Sequence, residues 1–193
     1  MSQKEGMGNR EYKDSTFRKL YHDKNRASEL YNGLTGRTAS PDEIELSFVG
    51  GVLTRKLNHD VAFQVGQRMI VVLEHQSTPN ENTPVRMLIY VAKIYERYLK
   101  KQVGRAIYGR QRADLPFPDF FLLYYGEPDD PEGWEMRLSD AFALGDSKLE
   151  LVVTVFNINY ERKGELLKKC PTLHGYSTLV HQVEKLRPSL GLD

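Results

Sequence analysis

The stretch Asn58–Leu99, NHDVAFQVGQRMIVVLEHQSTPNENTPVRMLIYVAKIYERYL, decides the fold. Val61-Ala62-Phe63-Gln64-Val65 alternates around Phe63, and Gly66 offers a turn. Arg68 to Leu73 is then nearly continuous apolar sequence, which suits a strand covered on both faces better than one wetted on one side. That strand ends at Glu74-His75-Gln76. After a polar loop, Thr83-Pro84 reads as a helix start, with Thr83 as N-cap and Pro84 at the first helical position, where its missing N–H costs nothing.

Hairpin register decides what this stretch can do chemically. A two-residue loop, Gly66-Gln67, pairs Val65 with Arg68 and sets positions 60 and 74 on opposite faces. An odd loop over 66–68 pairs Val65 with Met69. It then gathers Val61, Phe63, Val65, Met69, Val71 and Leu73 on one wholly apolar face. Patterning selects the odd register, because a one-residue slip exchanges the two faces, and three-residue loops with a bulge permit it. Asp60 is then expected opposite Glu74, with Gln76 on the same side. Facing carboxylates repel unless a cation sits between them, and such oxygen donors suit Mg²⁺ or Mn²⁺. The bare spacing D-x13-E-x-Q is equally compatible with two solvated charges.

The segment from Asn58 through Glu96, and above all EHQST followed by P-x-R-x-L-x-Y, resembles the Rpn family of recombination-promoting nucleases, often labelled transposases. That family belongs to the PD-(D/E)XK nuclease superfamily. The resemblance extends to YKDSTFRKLYHDKNRASELYNGL before it, to LPFPDFFLLYYG and LELVVTVFNINY after it, and to the Cys-x-x-Leu-x-x-Tyr segment at Cys170–Tyr176. It implies an α/β fold with a central mixed sheet flanked by helices, the αβββαβ core of the superfamily. It also implies Mg²⁺- or Mn²⁺-dependent hydrolysis of DNA phosphodiester bonds. Asp60 matches the motif Asp, and Glu74 with Gln76 matches an E-x-Q form of (D/E)-x-K. Gln in place of Lys departs from the superfamily pattern, since a neutral amide cannot supply an ammonium's charge; Lys93, on the following helix, is the candidate replacement. Glu29 is nominated as the first-helix acid that completes the metal site in many such enzymes, against the plainer reading of an exposed helix charge. The implied partner is DNA, with a homo-oligomer left open. The rival reading is a non-catalytic DNA- or partner-binding remnant that keeps the fold.

Net charge is only +1 over 193 residues, so the chain does not advertise nucleic-acid binding globally. Locally it does. Between Val85 and Arg112, eight basic residues (Arg86, Lys93, Arg97, Lys100, Lys101, Arg105, Arg110, Arg112) face a single acid, Glu96. A solvated helix face explains many such runs; this one follows directly on the Glu74–Gln76 strand, and Arg86, Lys93, Arg97, Lys100 and Lys101 become the candidate DNA contacts. Arg86, Tyr90, Lys93 and Arg97 share one helix face by spacing, and Met87, Val91, Ile94 and Tyr98 another that should be core. His59 and His75 have the wrong parity to join Glu74 and Gln76, so no histidine metal site is read.

No apolar run approaches the roughly 18 residues of a membrane span. The polar start, MSQKEGMGNREYK, lacks an apolar core for a signal peptide. With one cysteine, Cys170, the chain has no disulfide or zinc framework, and a cytoplasmic location is expected. Residues 1–11 read as disordered and 12–193 as one domain. Asp14 or Ser15 should cap a first helical piece. A second, about Lys24–Tyr31, should stop at Asn32-Gly33. Ile44–Leu53 reads as a bent strand, Phe120–Tyr125 and Leu149–Phe156 as buried strands, and Asn157-Ile158-Asn159 as a turn whose amides bond local backbone. Glu165–Lys169 begins a helix interrupted at Pro171, and Tyr176–Leu186 is the last helix. Relatives usually continue through a longer helical C-terminal region than the one ending at Asp193.

Overall fold

The computed structural model describes residues 16–46, 60–75, 80–102, 108–110, 112–144 and 147–186. Its elements are α1 (Lys24–Thr35), β1 (Ile44–Glu45), β2 (Asp60–Val65), β3 (Arg68–His75), α2 (Thr83–Gln102), β4 (Phe117–Tyr124), β5 (Gly133–Arg137), β6 (Val152–Asn157), α3 (Glu165–Lys169) and α4 (Pro171–Leu186). Residues 16–20 add a helical piece before α1. The strands form a six-stranded mixed sheet in the order β1-β2-β3-β4-β6-β5. β1, β2 and β3 make an antiparallel meander; β3, β4 and β6 run parallel; β5 returns antiparallel to β6.

Helices cover both faces. On one face Val61, Phe63, Val65, Ile70, Val72, Phe121 and Leu123 pack against Leu30, Leu34, Leu167, Leu173 and Tyr176 from α1, α3 and α4. On the other, Ala62, Met69, Val71, Phe120, Leu122, Val153 and Val155 pack against Met87, Tyr90, Val91 and Ile94 of α2. This is why β3 and β4 are apolar without alternation.

The same fact overturns the expected hairpin register. Val65 pairs with Arg68 and Asp60 with Leu73, so the loop is the two-residue Gly66-Gln67. Gly66 has φ 56, as the first central position of a type II′ turn requires. Patterning excludes a slipped register only where one face must stay wet. Here Val61, Phe63 and Val65 join Ile70 and Val72 as readily as they could have joined Met69 and Val71, so apolarity gives no preference and the tight turn sets the pairing.

Helix boundaries differ in informative ways. Asp23 caps α1 by accepting from Arg26 N–H at 3.1 Å, and the helix passes through Asn32-Gly33 to end at Gly36, which has φ 66. Asn32 and Gly33 serve packing. The Asn32 amide accepts from Ala39 N–H at 2.8 Å, and a Cβ on Gly33 would lie 2.1 Å from Cys170 Sγ. α2 starts one residue earlier than expected: Asn82 C=O accepts from Arg86 N–H at 3.0 Å, and Thr83 is already helical. Pro171 begins α4, with Cys170 C=O accepting from His174 N–H at 2.9 Å. A proline at the first helical position starts a helix instead of interrupting one. β5 has no clear signal in the sequence, because GWEMR is short and charged. Trp134, partly buried, packs edge-on to Tyr124 at 5.8 Å, whereas Phe142 is exposed. Cys170 is fully buried as a free thiol. The expectations for residues 1–11, for the Asp14 or Ser15 cap, for the strand beyond Leu46 and for the segment after Leu186 lie outside the described residues.

Candidate functional site

β3, β4 and β6 end together at one edge of the sheet. Across that edge His75 pairs with Tyr124 and Tyr124 with Asn157. β2, running the other way, begins there at Asp60. Ligands of open α/β sheets bind outside the carboxyl ends of the strands, which makes this edge the candidate site. Two sequence-predicted residues come to it: Asp60, opposite Leu73, and Glu74, beside Leu123 of β4. They are neighbours at the open end of the hairpin, but the pleat assigns position 60 to the face of Ala62 and position 74 to that of Val72. The expected face-to-face pair is corrected accordingly. Gln76 lies outside the described residues.

Glu29 is engaged elsewhere. Its carboxylate is held by α4, accepting from Thr172 N–H at 2.7 Å and Thr172 Oγ1–H at 3.0 Å. It is neither an exposed charge nor a carboxylate with idle oxygens; it caps another helix in place of a residue of that helix.

α2 departs from the same edge, and the loop before it supplies acceptors to its first turn. Asn80 C=O accepts from both Thr83 N–H at 2.8 Å and Thr83 Oγ1–H at 2.6 Å, and Pro84 has no N–H to offer. Arg86, one turn in, is half-buried, with Nη2–H reaching Tyr90 Oη at 3.3 Å and the guanidinium 6.0 Å from the Tyr90 ring. Tyr90 is buried in the core with Met87, Val91 and Ile94, so the basic face is narrower than its spacing suggests. Lys93 is exposed. At 1.5 Å per residue it stands about 15 Å along the axis from Thr83. Arg97 is half-buried, Lys100 is exposed and pairs with Glu96 at 2.6 Å, and Lys101 falls in the last turn. Tyr95 Oη–H donates to Pro116 C=O at 2.6 Å, just before β4. The basic end of α2 is therefore fastened at the opposite, amino-terminal edge of the sheet.

What the sequence does not disclose is how firmly the β4 and β6 ends are braced. Asp130 accepts from Tyr124 Oη–H at 2.8 Å and Glu127 N–H at 2.9 Å. Those two donors, backbone first, hold its carboxyl below the usual range; burial, then Asp130, pushes Tyr124 up to about 12. Asn157 Nδ2–H donates to Glu127 C=O and Asn159 Nδ2–H to Gly126 C=O, while their Oδ1 atoms accept from Asn159 and Glu161 N–H. Both amides bond only backbone, as expected, but half of those bonds are long-range. Arg162 Nη1–H donates to Pro128 C=O at 2.8 Å and to Asp130 C=O. Among the described residues no cluster of three or more His, Cys, Asp or Glu is arranged to hold a metal, and no helix is long and apolar enough to cross a membrane.

The fold and the edge define a mixed α/β chain with acidic strand ends beside a basic helix. More than half of it, residues 41–160, matches the model of the family described as "Putative transposase, YhgA-like", and the chain belongs to that family. No curated protein and no solved structure matches significantly.

Proposed function

We propose that the chain is a metal-dependent DNA endonuclease of the Rpn type within the PD-(D/E)XK superfamily, hydrolysing phosphodiester bonds. The observation that carries this reading is the element order, helix, three strands, helix, strand, with Asp60 on the second strand and Glu74 on the third at one sheet edge. Membership of a transposase-like family agrees with DNA as the partner. The oxygen donors of Asp60 and Glu74 suit Mg²⁺ or Mn²⁺ by chemistry, whereas the regular ladder gives them no common face. A shared cation therefore requires β2 and β3 to part beyond the Asp60–Leu73 pair. Gln76 would orient water or a phosphate oxygen as a neutral donor. Arg86, Lys93, Arg97, Lys100 and Lys101 would contact phosphates; Glu29 is left out of the ligand set because α4 uses both its oxygens.

The register also favours a second reading, a DNA-binding module without catalysis. Incubating the protein with supercoiled plasmid in Mg²⁺, Mn²⁺ or EDTA separates the two. Nicking that requires metal and disappears in Asp60→Asn and in Glu74→Gln supports the nuclease. Binding without nicking in either metal supports the module.

A further inference from the structure

The amino-terminal edge of the sheet, opposite the candidate site, carries an unusual surface. Phe117 opens β4 and is 59% exposed. The Arg68 guanidinium lies 4.7 Å from its ring centroid. Arg68 is not free to swing away, because Nε–H and Nη2–H bond the two oxygens of Asp119 at 2.8 and 2.7 Å. A forked guanidinium–carboxylate pair of this kind is directional and rigid. The main chain beneath the ring is anchored as well, since Phe117 N–H donates to Gln67 C=O at 2.7 Å beside the hairpin turn. The segment leading into β4 bears Tyr108, 86% exposed, with exposed Arg110 and Arg112. α2 delivers Lys100 toward the same edge through its Tyr95–Pro116 fastening.

An immobilised, solvent-facing aromatic ring flanked by cations has the chemistry of a base-stacking platform. Every base has a π-face, and the neighbouring Lys and Arg neutralise backbone phosphates. Duplex DNA hides its base faces, so a ring of this kind is useful only to an unpaired strand. We infer that this edge binds single-stranded nucleic acid, with a base stacked on Phe117 and phosphates on Arg110, Arg112 and Lys100. α2, about 30 Å long from its twenty residues, joins the two edges. This inference rests on DNA being the partner proposed above. It specifies a substrate in which an unpaired segment is separated from the candidate cleavage edge by roughly nine base pairs of duplex, at about 3.4 Å rise each.

The test uses the full chain in EDTA, where no cleavage occurs, with fluorescence anisotropy of a labelled oligothymidylate and of a blunt duplex of equal length. Phe117→Ala and Phe117→Leu should weaken single-strand binding by about five- to a hundredfold, Phe117→Tyr should restore it, and duplex binding should move little. Leu keeps an apolar side chain against Arg68, so it controls for folding. Equal binding by the Phe, Leu and Ala forms overturns the inference, as does equal loss on duplex. A shift of Phe117→Ala from dimer to monomer in size-exclusion chromatography, with single-strand affinity unchanged, also overturns it and makes the edge a contact between copies. Plasmid nicking by the wild-type chain reads the nuclease proposal separately. Nicking without a Phe117 effect sinks only the platform; a Phe117 effect without nicking sinks only the nuclease.

Discussion

Glu29 and Thr172, 143 residues apart, are joined by two hydrogen bonds that tie α1 to the first turn of α4. The carboxylate takes the place of a helix cap, so its loss leaves an N–H and a hydroxyl at a half-buried junction without their partner. Glu29→Ala should lower unfolding stability by about 1–2 kcal/mol in urea titration, and Glu29→Gln by less, because one acceptor remains. Stability equal to wild type with metal-dependent nicking abolished in Glu29→Gln would return this residue to the metal site.

A second junction, Gly33 with Cys170, is a close approach of α1 to the turn before α4. Gly33→Ala puts a methyl into the thiol and should cost about 1–3 kcal/mol. Cys170→Ala removes the nearest obstacle, so the double variant should lose less than the two single losses added. Strict additivity would mean the helices separate freely there.

Burial, followed by the charge of Glu29, pushes the Cys170 thiol up to about 12. The folded state therefore holds this proton above the ordinary thiol range. The associated stability is fully present below about pH 8.5 and declines as pH rises toward 12. At pH 8 the thiol should resist an aromatic disulfide reagent until the chain is unfolded in urea. Rapid reaction in the native protein would contradict its burial.

For the basic helix, Lys93→Ala and Arg97→Ala should each weaken duplex binding similarly for all sequences. Each should flatten the log–log salt dependence by about 0.9, the share of one phosphate that the variant no longer neutralises. The quantity to measure is the slope across a salt series; an unchanged slope in both variants assigns them to solvent.

The alternation of Val61, Phe63 and Val65, the apolar run of β3 and the amphipathic α2 make the sheet and its flanking helices legible in sequence. Register is not legible. The apolar run that announces a doubly covered strand also removes the wet face by which a slip would be recognised. Asn32-Gly33 reads as a helix stop from the chain alone, because only the distant Cys170 shows why a residue without Cβ is needed inside α1. Glu29 stands out by type and position, and its partner Thr172 lies beyond any local signal. At the candidate edge, Asp60, Glu74 and Arg86 follow from spacing and resemblance, whereas the brace of Tyr124, Asp130, Asn157 and Arg162 depends on loops that meet only after folding. Phe117 lies before the strand expected over Phe120–Tyr125, and its exposure follows from standing at the very start of β4.

β5 borders the described sheet, and its outward residues Gly133, Glu135 and Arg137 are exposed, with Arg137 paired to Glu135. An edge strand offers unpaired backbone groups to any other extended chain, and charges on it discourage such pairing. These two side chains thus work on behalf of the population and not the individual molecule: at high concentration they keep one sheet from continuing into the next. Exchanging both for valine should leave the isolated fold intact while making the protein prone to fibrous aggregation on mild heating.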